Sequence, residues 1–220
     1  MALPKVIVLA TGKGGAGKST LARCLAGHWL GLGHTPAIVD ADPQATIASL
    51  HNPDSAMGSV TVREAAEEAL VVDAIEELKG AHSVILVDTA GFRNRTTIMA
   101  MTAADLVLIP LKAAVEDLRE AMETYKLVEE INGTPERVGN PIAARLVLTM
   151  TTKGTVIARQ IRSEITAAGY PLLNAEIGHR VAYPEAAAAG LSPSLVEPEG
   201  AAARDIAAVA TEIGSMNNER

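Results

Sequence analysis

Short, unbroken apolar runs alternate along the chain with longer stretches whose apolar residues recur at helical spacing. The runs predict strands over 5–10, 35–39, 83–87, 105–109 and 143–149, with a weaker one over 172–177. The periodic stretches predict helices over 18–30, 62–69, 96–102, 115–131, 156–168 and 201–213. Continuous Val/Ile/Leu runs such as VIVLA, VILV and LVLIP mark strands covered on both faces, as parallel strands between helices are. The alternation therefore predicts an α/β fold: a three-layer α/β/α arrangement around a mostly parallel, twisted sheet. No repeat or long linker interrupts it, so residues 1–216 read as one domain with a frayed tail at 217–220.

Composition narrows the function. At 220 residues, 48% hydrophobic and 20% charged, the chain has the balance of a globular protein with a substantial core. Aromatics make up only 2%, which argues against a surface that stacks single-stranded bases. The lone Cys24 excludes an internal disulfide, a CxxC redox pair and a cysteine-cluster metal site within one chain. No apolar run approaches the roughly 18 residues of a membrane span. A soluble, cytoplasmic protein is expected. With a net charge of −7, contact with nucleic acid needs a local basic patch.

The chemistry begins between the first strand and first helix. Gly12-Lys13-Gly14-Gly15-Ala16-Gly17-Lys18-Ser19 has the P-loop spacing GxxxxGK[ST]. Glycines let backbone N–H groups converge on phosphate oxygens, and the helix N-terminus adds its dipole. Lys18 is placed for the β/γ-phosphates, and the Ser19 hydroxyl for Mg²⁺. Gly12, Gly14 and Gly17 also fit the dinucleotide pattern GxGxxG, with Asp40 as a candidate ribose acid. The Lys18-Ser19 pair has no role in that site and favours a triphosphate. A P-loop NTPase fold is the expectation.

Two further strands end in acids. Val84-Ile85-Leu86-Val87-Asp88 has the form of a Walker B element, whose Asp holds Mg²⁺ or its water shell. Asp40 and Asp42 lie two apart in Val39-Asp40-Ala41-Asp42-Pro43-Gln44, so both can face one side of an extended segment. One is a candidate for the metal shell and the other for orienting water; alternatively, one of the two, Asp40 or Asp42, simply caps the following turn.

Together these residues resemble the ParA/MinD group of deviant Walker A ATPases. The signature appears as Lys13-Gly14-Gly15-Ala16-Gly17-Lys18-Ser19-Thr20, and Val39-Asp40-Ala41-Asp42-Pro43-Gln44 is similar to the family's second motif, on the ParA side of the group. Glu185-Ala186 followed by Gly190 is similar to its C-terminal nucleotide loop. The resemblance implies ATP and Mg²⁺ as cofactors, weak intrinsic ATPase activity and an ATP-bound sandwich homodimer in which Lys13 crosses to the partner's phosphates. It implies Asp42 as the residue positioning the hydrolytic water and Asp88 as the Walker B acid. It also implies binding to non-specific duplex DNA, hence nucleoid association in the ATP state. A ParB-like or other adaptor would trigger hydrolysis and release.

The chain departs from the pattern in instructive places. Its P-loop starts at residue 12, so no N-terminal helix-turn-helix and no operator binding are expected. Asp88-Thr89-Ala90-Gly91 replaces the usual Asp-x-Pro-Pro, and Ile177-Gly178-His179-Arg180 stands where Ile-Pro-Arg is common. Those departures leave the cargo open between a plasmid or chromosome and a protein assembly such as a carboxysome, chemoreceptor cluster or conjugation complex. A small-molecule P-loop kinase or synthetase is the remaining alternative. For DNA, the span 145–180 carries a local charge of +3, and Lys153, Arg159, Arg162 and Arg180 are the candidate contacts. The same charges also suit a solvated helix face. The last helix has only Arg204 as a basic residue, so a membrane-binding amphipathic helix is not expected.

Overall fold

The fold is taken from a computed structural model that describes residues 3–91 and 94–216; the expected tail at 217–220 lies outside them. Seven strands run in chain order as β1 (Val6–Leu9), β2 (Pro36–Ala41), β3 (Thr61–Glu64), β4 (Val84–Thr89), β5 (Leu106–Lys112), β6 (Ala143–Thr151) and β7 (Leu172–Gly178). They form one sheet in the order β3-β2-β4-β1-β5-β6-β7. Every pairing is parallel. The helices are α1 (Lys18–Gly31), α2 (Thr46–Leu50), α3 (Glu68–Lys79), α4 (Arg95–Thr102), α5 (Val115–Asn132), α6 (Val156–Ala167), α7 (Ala182–Ala188), α8 (Pro193–Val196) and α9 (Ala201–Ser215).

Side chains along β1 alternate between two cores, as the pleat requires. Val6 and Val8 join Val71 and Ile75 of α3, Met101 of α4, Val128 of α5 and Ile161 of α6. Ile7 and Leu9 join Leu25 and Trp29 of α1 with Ile206 and Val209 of α9. The expected three-layer α/β/α fold is thus present, with its sheet wholly parallel among the described residues. Cys24 and Trp29 are buried core residues, as their place in α1 suggested. No helix among the described residues is long and apolar enough to cross a membrane.

One expected element is wrong. Residues 62–69 read as a helix, yet Thr61–Glu64 is the edge strand β3, paired in register with β2. The β-branched Thr61 and Val62 suit an extended edge. The helical stripe starts later, where Val71, Ile75 and Leu78 recur at spacings of four and three and are buried.

Contact between α1 and the chain entering α8 depends on Gly27. A Cβ there would lie 2.3 Å from Ser192 Cβ. Ser192 is fully buried, and its hydroxyl donates to the Cys24 carbonyl at 3.2 Å. Gly27→Ala is therefore expected to destabilise the fold by ~1–3 kcal/mol through overpacking. Thermal unfolding checks it as a drop of several degrees in Tm. An unchanged Tm would mean that this contact yields without cost.

Candidate functional site

The carboxyl ends of β1, β2 and β4 meet at one level, since Leu9 pairs with Asp88 and Asp88 with Asp40. The glycine loop leaves β1 at that level. Gly15 and Gly17 take positive φ of 75° and 89°, a conformation that favours glycine. Gly17 caps α1 without a side-chain hydrogen bond, and the first turn carries no acid. The helix therefore presents N–H groups and the positive end of its dipole outward. Two threonines brace the loop. Thr149 Oγ1 lies 2.9 Å from the Ala16 carbonyl and 3.2 Å from that of Leu111, while Thr89 Oγ1 donates to the Leu9 carbonyl at 2.8 Å.

Asp88 is fully buried, and among the described residues neither carboxylate oxygen has a partner at ordinary hydrogen-bond geometry, the Ser19 hydroxyl lying near enough only to favour its ionised form. Burial pushes its pKa up to about 7; Asp40 and Asp42 add to this, while Ser19 and Lys18 oppose it. Lys18 is 7% exposed, and burial lowers its pKa against the pull of Asp88 and Asp42. Two idle carboxylate oxygens beside a serine hydroxyl are the hard donors that a divalent cation such as Mg²⁺ prefers. Among the described residues no group of three or more His, Cys, Asp or Glu is gathered to hold a metal. A cation here thus needs ligand oxygens and water besides the protein. The arrangement can hold a polyphosphate on the loop with a cation at Ser19 and Asp88.

The two acids after β2 take separate parts. Asp40 Oδ2 accepts from the N–H groups of Ile47 and Ala48 at 2.9 Å each, and Oδ1 from the Asp42 N–H at 3.4 Å. It ties down the start of α2, whose own cap residue, Ala45, has positive φ and no side-chain bond. Its carboxylate thus caps α2, the second of the two parts open to it, while it still acts on Asp88 by charge. Asp42 is half-buried, with Oδ1 accepting from the Gln44 N–H at 2.9 Å. It remains close enough to act on both Lys18 and Asp88.

Lys13 does not point free into solvent. Its Nζ lies 2.6 Å from Asp117 Oδ1, on the first turn of α5, and Asp117 is 1% exposed. Beside the P-loop opens an apolar cavity of about 420 Å³, a volume suited to a small ligand. Ser19, Thr20 and Arg23 of α1, Leu50 of α2, Met150 of β6 and Tyr183 of α7 all line it. Sequence reasoning passed over Arg23, although a charge amid Leu21, Ala22, Cys24 and Leu25 is itself a signal. The C-terminal motif residues do not line this cavity: Glu185 and Ala186 line a different one near Val196 and Gly200, and Gly190 borders a small crevice beside Arg23, while their neighbours Tyr183, Pro184 and Ala187 face the P-loop cavity.

The four candidate DNA contacts do not form one free cationic face. Arg162 pairs with Glu176 at 3.0 Å, and Arg180 with Asp205 at 2.7 Å. Asp205 lies outside the span whose charge suggested the patch. Lys153 and Arg159, at the entrance to α6, have no carboxylate partner among the described residues.

The chain is 30% identical to Protein ParA of Rhizobium radiobacter over 145 residues, 66% of this chain and 64% of that protein. The match thus spans just under two thirds of that relative. It is 27% identical to Maintenance of carboxysome distribution protein A of Halothiobacillus neapolitanus, covering 100% of this chain and 98% of that protein. The fold matches that of septum site-determining protein MinD complexed with Mg-ADP from Pyrococcus horikoshii, with a TM-score of 0.75, 17% identity and 97% of each chain covered. Residues 7–193, which hold the P-loop, both acidic strand ends and most of the cavity lining, match the CobQ/CobB/MinD/ParA nucleotide binding domain, and the chain belongs to that family.

Proposed function

We propose that this chain is an ATP-driven positioning protein of the ParA type. One observation carries the reading: the deviant-signature Lys13 accompanies a P-loop whose Lys18, Ser19 and idle buried Asp88 are assembled for Mg-ATP. The loop and the α1 N-terminus bind the triphosphate, Lys18 holds its β/γ oxygens, and Ser19 and Asp88 hold the metal. Bound Mg²⁺ neutralises charge on the phosphates during hydrolysis. Asp42 orients the attacking water from the edge of the site. Lys13 reaches the phosphates of a second copy, so ATP is the condition for a dimer. Turnover stays slow until an adaptor protein completes the site.

The dimer's track in this reading is duplex DNA bound without sequence preference, which places the ATP state on the nucleoid. Lys153 and Arg159 are the contacts, because Arg162 and Arg180 already face internal carboxylates. Dimerisation doubles the cations facing one duplex, and affinity depends steeply on phosphates neutralised. The cargo reading keeps two branches. The ParA relative favours a DNA molecule, and the end-to-end match to the carboxysome-distribution protein favours a protein assembly.

DNA binding measured by fluorescence anisotropy in a salt series tests the switch. Binding is expected with Mg-ATP and not with Mg-ADP, weakening steeply as salt rises. Changing Lys153 and Arg159 together to Glu is expected to cost at least tenfold in affinity at about 0.1 M salt while ATP hydrolysis persists. Wild type that never binds DNA with Mg-ATP would remove DNA as the track.

A further inference from the structure

Arg23 stands in α1 roughly 7 Å along the helix axis beyond Lys18, past the turn that meets phosphate. The residue is 6% exposed, yet among the described residues its Nε and Nη1 find no acceptor. Burial lowers its pKa, opposed among the described residues by the neighbouring Cys24 thiol, which is a weak acceptor. A buried guanidinium without a carboxylate is costly to keep, and an unsatisfied buried donor calls for a partner. Arg23 also lines the 420 Å³ cavity, beside Thr20 one turn earlier and together with Tyr183 and Leu50. The cavity is otherwise mostly apolar, as suits a flat ring system, and it continues from the loop that takes the phosphates. Arg23 also borders a small crevice near Ile38 and Val60.

We infer that Arg23 donates to a ring-nitrogen acceptor on the purine of the bound nucleotide and thereby fixes the base in the cavity. The inference rests on the nucleotide reading of the P-loop and deepens it by naming the residue that reads the base. The phosphates are held at the helix start by the loop and Lys18. Arg23 lies too far along α1 for that duty, and its neighbours suit the nucleoside. An N–H donor from a charged, desolvated group is a strong hydrogen bond, and losing it leaves the base held by apolar contact alone.

Calorimetry with five probes tests this: Mg-ATP, Mg-tripolyphosphate, and the 1-, 3- and 7-deaza analogues of Mg-ATP. Arg23→Met, which keeps the apolar stem, is expected to weaken Mg-ATP roughly ten- to a hundredfold. Its affinity for Mg-tripolyphosphate, which has no base, is expected to stay within about twofold of wild type. One deaza analogue is expected to bind wild type more weakly than ATP by a similar factor, and that difference is expected to vanish in Arg23→Met. Arg23→Lys, which keeps the charge but loses the planar fork, is expected to fall between the two. Removing an unpaired buried charge is expected to leave the Tm of the ligand-free protein unchanged or raised. The inference fails if Arg23→Met binds Mg-ATP like wild type, loses both ligands equally, or unfolds without ligand. It also fails if all three deaza analogues bind wild type as ATP does. Wild type that binds neither Mg-ATP nor Mg-tripolyphosphate would overturn the nucleotide reading as well, whereas an indifferent Arg23 in a protein that binds Mg-ATP overturns this inference alone.

Discussion

Asp88→Asn is expected to make the metal-free protein more stable and to leave it unable to use magnesium. The Asp88 carboxylate is fully buried and, among the described residues, has no partner at ordinary hydrogen-bond geometry, and burial pushes its pKa from 3.8 up to about 7. Below about pH 4 the group is protonated whether the chain is folded or unfolded. Between about 4 and 7 the unfolded chain releases the proton while the folded one keeps it, so stability falls as pH rises. Above about 7 both forms are ionised and the full penalty, about 4 kcal/mol, is present. Asn removes the charge but buries an amide of its own, so the expected net gain is about 1–3 kcal/mol at about pH 8. Urea unfolding from about pH 4 to 8 checks the slope: wild type loses stability across the window, and Asp88→Asn lacks that component. Mg-dependent hydrolysis in the variant is expected to drop at least a hundredfold, because the carboxylate proposed to hold the cation is gone. Identical pH slopes in the two proteins would show that Asp88 is not the penalised group.

The same buried carboxylate illustrates which parts of the site are legible in the chain's own pattern. Asp88 and Lys18 are announced by local patterns, an apolar run ending in acid and a glycine loop before a helix, so their meeting follows once the two strands are neighbours. Asp40 is different. Its partners are the N–H groups of Ile47 and Ala48, and they exist as donors only because α2 forms there. That helix has five residues, too few to show a period. The basic span misleads for a related reason: Arg180 meets Asp205 across 25 residues of chain, a pairing that counting charges in a window does not register. The long helices α1, α5 and α9 and the strands β1, β4 and β5 are readable because several turns or a continuous apolar run repeat one message. β3 is not. Its four residues lie partly exposed at the sheet edge, where the apolar signal is weakest and pairing with β2, distant in sequence, sets the strand.

Asp117→Asn is expected to shift the ATP-bound protein toward the dimer, and Lys13→Ala to prevent it. In the single chain Lys13 Nζ lies 2.6 Å from Asp117 Oδ1, and Asp117 raises its pKa first, with Glu116 and Glu120 adding to the effect. A lysine held there is turned toward its own α5. Reaching the phosphates of a second copy, as the proposed dimer requires, means leaving that carboxylate. Departure does not strand Asp117 as an isolated buried charge. Lys112 Nζ is 3.9 Å from Asp117 Oδ2, and the Lys112 N–H donates to the same oxygen at 3.3 Å. Two lysines thus compete for one acid, and either can serve it. Asn at 117 keeps the shape and still accepts from the Lys112 N–H, but gives Lys13 no charge to stay for. Light scattering with Mg²⁺ and a slowly hydrolysed ATP analogue is expected to show Asp117→Asn dimerising at a severalfold lower protein concentration than wild type. Lys13→Ala is expected to remain monomeric while still binding the nucleotide. If both variants dimerise like wild type, Lys13 has no part in assembly. If Asp117→Asn dimerises less readily, Asp117 builds the interface itself and does not restrain Lys13.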